Sequence, residues 1–313
     1  MLRSMYAGIS GMKNFQTKLD VIGNNIANVN TYGFKKGRTV FKDLISQQVA
    51  GAASPGNARG GINAKQVGLG SALSAIDTIH TEGSTQSTGR MLDLAIAGGG
   101  FFIVGAKNNT TGVNATTNVI TQPIDTNMTL NYTRSGNFYL DEEGFLVNAD
   151  GLYLIGQGNK TAADTWGTDL PAAGAATAGL IQIPLDAKSF SIGPDGTVSF
   201  INKDGKLNVA GQIRVAKFAN DGGLEKVGAN LYRESPNSGT LNRNATAGIQ
   251  IDELFIAGND GTGKIEAGVL EMSNVDLSEE FTEMIVAQRG FQSNTKIITT
   301  SDEILQELVN LKR

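Results

Sequence analysis

Leu277-Ser278-Glu279-Glu280-Phe281-Thr282-Glu283-Met284, carried on to Phe291, Ile298 and Leu305, places an apolar residue at every seventh position, and Leu270 extends the row backwards. Ile297, Ile304 and Leu311 form a second row at the same interval. A seven-residue repeat keeps one stripe of an α-helix turned toward a partner helix. The helix is predicted to begin between Asp276 and Ser278, with Ser278 as its N-cap and Glu279, Glu280 and Phe281 in the first turn, where the helix dipole favours acids. Lys312 and Arg313 stand at the opposite end, where cations belong. A helix of about 30 residues at ~1.5 Å each is ~45 Å long, more than a small domain covers. Its seam requires another helix, from this chain or from a neighbouring copy.

The beginning of the chain repeats the pattern. Met5, Met12, Leu19 and Ile26 recur every seventh residue, flanked by Leu2, Ile9, Phe15, Ile22 and Val29. Charges are sparse (Arg3, Lys13, Lys18, Asp20), and Asn14, Gln16, Thr17, Asn24, Asn25 and Asn28 fill the other faces. A helix wetted on one side carries more charge than this, so contact on several sides is expected. The plainer alternative is an ordinary amphipathic core helix.

Between the helices the sequence turns glycine-rich and strand-like. Residues 46 to 70, with Gly51, Pro55-Gly56, Gly60-Gly61, Gly68 and Gly70, read as an extended connector. From Leu92 the pattern alternates as a strand does, and turn pairs such as Asp150-Gly151, Asp195-Gly196, Asp204-Gly205 and Asp221-Gly222 separate further short apolar runs. The fold class is therefore α+β: N- and C-terminal helices forming a coiled-coil domain, with a mainly antiparallel β central domain. The segments are a helix and turn over 1–34, a flexible connector over 35–70, a β-rich domain over 71–268 with surface insertions at 107–130 and 157–178, and a connector and helix over 269–313.

Composition removes most chemistry. The 313 residues contain no Cys and one His, so disulfides, thiolate sites, Cys nucleophiles and multi-His metal centres are excluded. His80 is expected in a turn or on the polar surface. A net charge of -4 gives no case for nucleic acid. Charged residues make up 18%, below the about 25% of an average soluble domain, which fits a surface covered by partners. No apolar run is long enough to insert in a membrane, and the first residues lack the apolar core of a cleaved signal peptide. Residues 258–264, Gly258-Asn259-Asp260-Gly261-Thr262-Gly263-Lys264, match the opening of a phosphate-binding loop. Ile265 then stands where a hydroxyl must ligate Mg²⁺, so a glycine-rich turn is the better reading. Neither an enzyme nor a cofactor emerges.

Asn24-Asn25-Ile26-Ala27-Asn28-Val29-Asn30-Thr31, followed by Gly33-Phe34-Lys35-Lys36, closely resembles the signature of the flagellar basal-body rod and hook family. So do Glu271-Met272-Ser273-Asn274-Val275-Asp276-Leu277, the later Ala287-Gln288-Arg289 with Phe291 and Asn294, and the internal blocks Thr88-Gly89-Arg90 with Leu92-Asp93-Leu94-Ala95-Ile96 and Thr133-Arg134-Ser135-Gly136-Asn137-Phe138. The resemblance implies terminal helices lining the channel of a helical tube, a connector, and β domains in the outer wall. It also implies secretion through the flagellar export apparatus without a cleaved leader, and an extracellular place in the flagellum. The Thr88-Gly89-Arg90 block looks more like hook proteins, so a self-assembling subunit of the curved hook is expected. Its partners would be further copies, the distal rod protein, the hook cap and the hook–filament junction proteins. The alternative is a distal rod subunit of the drive shaft. Helix pairing is expected to rest on Met5, Met12, Leu19, Ile26, Leu277, Met284, Phe291, Ile298 and Leu305. Asn25, Asn28, Asn30, Gly33 and Phe34 are expected to form the motif turn.

Overall fold

The computed structural model describes residues 2–55, 60–108, 112–114, 116–121, 123–162, 165–170, 177–241 and 248–311. Gly56 of the connector and the terminal cations Lys312 and Arg313 lie outside them, as do parts of the two insertions. The chain divides into a helical unit (residues 1–29, 36–79 and 275–313) and a β unit (30–35 and 80–274).

The helical unit holds the two long helices, Leu2–Ala27 and Leu277–Asn310. The second starts at Leu277, inside the expected range, but with a cap other than Ser278. Its N-cap is Asp276, whose carboxylate accepts from the Ser278 and Glu279 amides at 2.8 and 3.4 Å. An ionised cap adds favourable charge at the dipole's positive end, and Ser278 falls inside the first turn instead. The connector also differs from the expected flexible chain. Gly37–Asp43 pairs antiparallel with Ser71–Thr78, and Ser46–Ala50 pairs with Lys65–Gly68. Only the first of these sheets gains cover. Phe41 meets the Phe15 ring at 6.5 Å, and Asn14 donates to the Ser71 hydroxyl at 2.8 Å. The second hairpin is exposed along both strands, with Val49 and Val67 facing solvent, as does Ile45 just before it.

The β unit is organised by a 12-stranded sheet. Its main path runs Ser189–Ile192, Thr197–Ile201, Leu207–Ala216, Tyr153–Gly158, Phe101–Lys107, Met128–Thr133, Leu231–Arg233 and Glu225–Gly228. Every pairing among the described residues is antiparallel. Phe101-Phe102-Ile103-Val104 is a continuous apolar run because both faces of its strand are covered. Phe102 and Val104 enter one core cluster, Phe101 and Ile103 the other.

The stretches read as surface insertions feed this core. Val113, Ile120, Ile124 and Met128 are buried in the second cluster, as is Ala178. Their apolar residues are spaced too widely among Thr and Asn for a period to show. The phosphate-loop-like residues form a turn: the Thr262 hydroxyl donates to the Ile256 and Asn259 carbonyls, and Lys264 opens a strand paired with Leu94–Ala97.

Candidate assembly site

Small residues set the spacing of the helix pair. A Cβ on Gly8 would lie 3.5 Å from Ile298, one on Gly11 3.0 Å from the Asn294 amide, and one on Gly290 2.6 Å from the Phe15 ring. Further along, Lys18 meets Glu283 at 3.0 Å. Since residue numbers rise on one helix as they fall on the other, the pair is antiparallel. Ile22 and Ala287 are buried in the half of the pair where Lys18 meets Glu283. Met5, Met12, Leu19, Ile26, Met284, Phe291, Ile298 and Leu305 are half-buried, whereas Leu277 is exposed. The heptad rows are therefore only partly covered within one chain. Phe281, Ile285, Val286, Ile297 and Ile304 stand 43–59% exposed on the C-terminal helix. Sequence reasoning missed Gly8, Gly11 and Gly290, whose signal is a small residue placed to admit a facing side chain.

The motif turn divides between the two units. On the helical side Asn25 is buried, and its amide treats Gly37 as a strand neighbour would: Nδ2 donates to the Gly37 carbonyl at 2.9 Å while Oδ1 accepts from the Gly37 N–H at 3.0 Å. The second Nδ2 hydrogen serves the Glu280 carboxylate at 3.2 Å. Burial raises the Glu280 pKa, opposed by that hydrogen bond and by Lys36. Lys36 itself pairs with Glu279 at 2.7 Å. Asn28 closes the helix end, donating to the Asn24 carbonyl at 2.9 Å.

On the β side Gly33, Phe34 and Lys35 are buried, while Asn30 is exposed. Gly33 has φ +68°, and a Cβ there would lie 2.6 Å from the Ser135 amide nitrogen, so conformation and space both demand glycine. Its N–H donates to the Glu271 carbonyl at 2.8 Å. Lys35, with no exposed side-chain surface, donates to Glu271 Oε1 at 2.5 Å and to the Thr81 carbonyl at 2.7 Å. Arg134 takes Glu271 Oε2 at 3.3 Å and also donates to the Ile96 and Gly98 carbonyls. Burial lowers the Lys35 pKa, against the pull of Glu271. His80 departs from its expected surface role. Its ring lies 5.5 Å from Phe101 and 5.4 Å from Tyr232, with both nitrogens buried and without hydrogen-bond partners among the described residues. Burial and the cations Lys35, Arg134 and Lys226 push its pKa down to about 4, so it is neutral near pH 7. The burial of Lys35 and of the His80 ring nitrogens could not be picked out in the sequence, because the residues around them lie far along the chain.

This constellation holds and orients polypeptide. Among the described residues no group of three metal-binding side chains occurs, and no helix is long and apolar enough to cross a membrane.

Three family models match the chain: Flagella basal body rod protein over residues 5–35, Flagellar hook protein FlgE/F/G D1 domain over 119–200, and Flagellar basal body rod FlgEFG protein C-terminal over 266–311. The flagellar basal-body rod protein FlgG of Bacillus subtilis is 55% identical over 313 residues, covering 100% of both chains. The protein of the same name from Borreliella burgdorferi is 33% identical over 318 residues, and that organism's flagellar hook protein FlgE is 32% identical over 472, each again covering 100% of both chains. With its motifs at both ends and whole-length relatives of both kinds, the chain belongs to the flagellar basal-body rod and hook family of axial structural proteins, which are not enzymes.

Proposed function

We propose that this chain is a subunit of the flagellar rod, in its distal part, polymerising into a straight tube that carries motor torque. The observation that carries this reading over the hook is length. The rod relatives align over 313 and 318 residues, against 472 and 494 for the two hook relatives, so this chain lacks the blocks that enlarge those proteins. The hook, expected from the Thr88-Gly89-Arg90 block, gives way to the rod alternative.

Self-assembly is supported by the apolar surface left on the C-terminal helix and on the 46–68 hairpin, which further copies would cover in coiled-coil fashion. Met5, Met12, Leu19, Ile26, Leu277, Met284, Phe291, Ile298 and Leu305 are the residues assigned to that packing. Neighbouring axial proteins and the flagellar export apparatus complete its set of partners. Electron microscopy of polymers grown from the purified chain tests the reading: straight tubes are expected, and curved, supercoiled ones would return it to the hook. Met284→Asp should abolish polymerisation by placing a charge in the seam. Normal tubes from that variant would exclude the helix seam as the assembly element.

A further inference from the structure

We propose that Glu280 is a proton-operated clasp of the helical unit: its buried carboxylate loosens the pairing of the two long helices while ionised and tightens it on taking up a proton. The helix start sets its place. With Asp276 as the cap, Glu279 and Glu280 follow one another at the first turn, and Glu283 comes one turn after Glu279. Glu279 and Glu283 stay at the surface, and each has its own cation, Lys36 at 2.7 Å and Lys18 at 3.0 Å. Glu280 turns inward and is only 5% exposed. Among the described residues no ion pair includes it, and its two oxygens share one amide, the Asn25 Nδ2 group, at 3.2 Å each. Asn25 is itself held by the N–H and C=O of Gly37, so the carboxylate rests where the end of the N-terminal helix, the first connector strand and the start of the C-terminal helix meet.

A carboxylate taken out of water and given one neutral donor is poorly compensated. The charges around it are Lys18 from the N-terminal helix, Lys36 and Arg38 from the connector, and Glu279 and Glu283 from its own helix, all lining one cavity of about 250 Å³. Lys18 and Lys36 are drawn to the other two acids, and Arg38 to Asp77 at 3.5 Å. Protonation removes the charge and keeps the bond, because the carbonyl oxygen of the acid still accepts from Asn25. Burial raises the Glu280 pKa above 4.5; Asn25 and Lys36 oppose the rise, and Glu283 and Glu279 add to it. The folded unit therefore binds this proton more readily than the unfolded chain does. Its stability is lowest above the raised value and grows as the pH falls toward 4.5. That is the reverse of the response set by His80 in the β unit, whose pKa is lowered. The clasp belongs to a single chain and does not depend on whether the polymer is straight or curved.

The test is amide hydrogen exchange in the full-length monomer, with the protection factors of residues 15–25 and 281–291 followed from pH 7.5 to pH 4.5 and corrected for the intrinsic effect of pH. One proton changes an equilibrium by at most about tenfold per pH unit, so protection should rise several-fold across that range. Glu280→Gln, which keeps an acceptor for Asn25 and carries no charge, should stand at the higher level already at pH 7.5 and show no such rise. Lys36→Gln removes a cation that favours the ionised form, so its rise should come at a higher pH than in the parent. Protection in the parent that stays level or falls toward pH 4.5 would overturn the proposal. So would an equal rise in Glu280→Gln, lower protection in that variant than in the parent at pH 7.5, or a rise displaced to lower pH in Lys36→Gln.

Discussion

The two units use apolar residues in opposite ways. Among the described residues of the helical unit, the buried hydrophobic side chains are Ile22 and Ala287 alone. The β unit encloses two full clusters, one on each face of its central strands. The helices nonetheless carry regular apolar rows, left half-covered or exposed. One unit is finished within a single chain, while the other is written for a surrounding that a single chain does not supply. The low charge of the N-terminal helix, which carries only Arg3, Lys13, Lys18 and Asp20, fits that division, since uncharged amides and small residues lose less than charges do when a neighbour displaces water.

The largest effect that would break this contrast is in the β unit. Phe102 is fully buried, 5.3 Å from the Phe138 ring, and Phe102→Ala should remove about 3–5 kcal/mol, read as a fall in the denaturant midpoint of the monomer. A loss below about 1 kcal/mol would mean that the cluster does not govern this unit's stability. A middle-sized effect concerns His80. Its pKa is lowered in the folded state, from 6.5 to about 4, so the unfolded chain takes up a proton in that interval that the folded chain refuses. Stability should therefore be full above pH 6.5 and fall as the pH drops toward 4, by up to about 1.4 kcal/mol per pH unit. His80→Gln should flatten that limb in urea titrations at pH 7 and 5; an equal slope in both proteins would remove His80 as its cause. The smallest effect sharpens the comparison from the other side. Ile285 is 59% exposed, and Ile285→Ser should move the monomer's melting by no more than about 0.5 kcal/mol while slowing polymer growth. A large loss in the monomer would show that the helix face is already satisfied within one chain.

The helices were legible because a heptad row is a local signal, repeated often enough to be read without knowing the partner. The strand run from Leu92 was legible for the same reason. The sheet of Gly37–Asp43 with Ser71–Thr78 was not: its partners run from Asp43 with Ser71 to Gly37 with Thr78, about thirty to forty residues apart, and its half-exposed faces show no alternation, so the glycines are its most visible feature. Lys35-Lys36 looks like a solvated pair of charges. Only the fold reveals that one member is enclosed by residues from three distant segments while the other sits beside Glu279. Of the motif turn, glycine at 33 and phenylalanine at 34 could be named in advance, but the division of the motif between two units could not, since it depends on where residue 271 arrives.

Asn25 has one more consequence. Its amide occupies the outward N–H and C=O of Gly37, while Thr78 lies opposite on the other side. A two-stranded sheet normally leaves two open edges on which a foreign strand can add, and in crowded chains such addition leads to aggregation. By imitating a peptide group at that first position, the asparagine blocks the start of a third strand. Strand addition at this edge is thereby disfavoured from its first position.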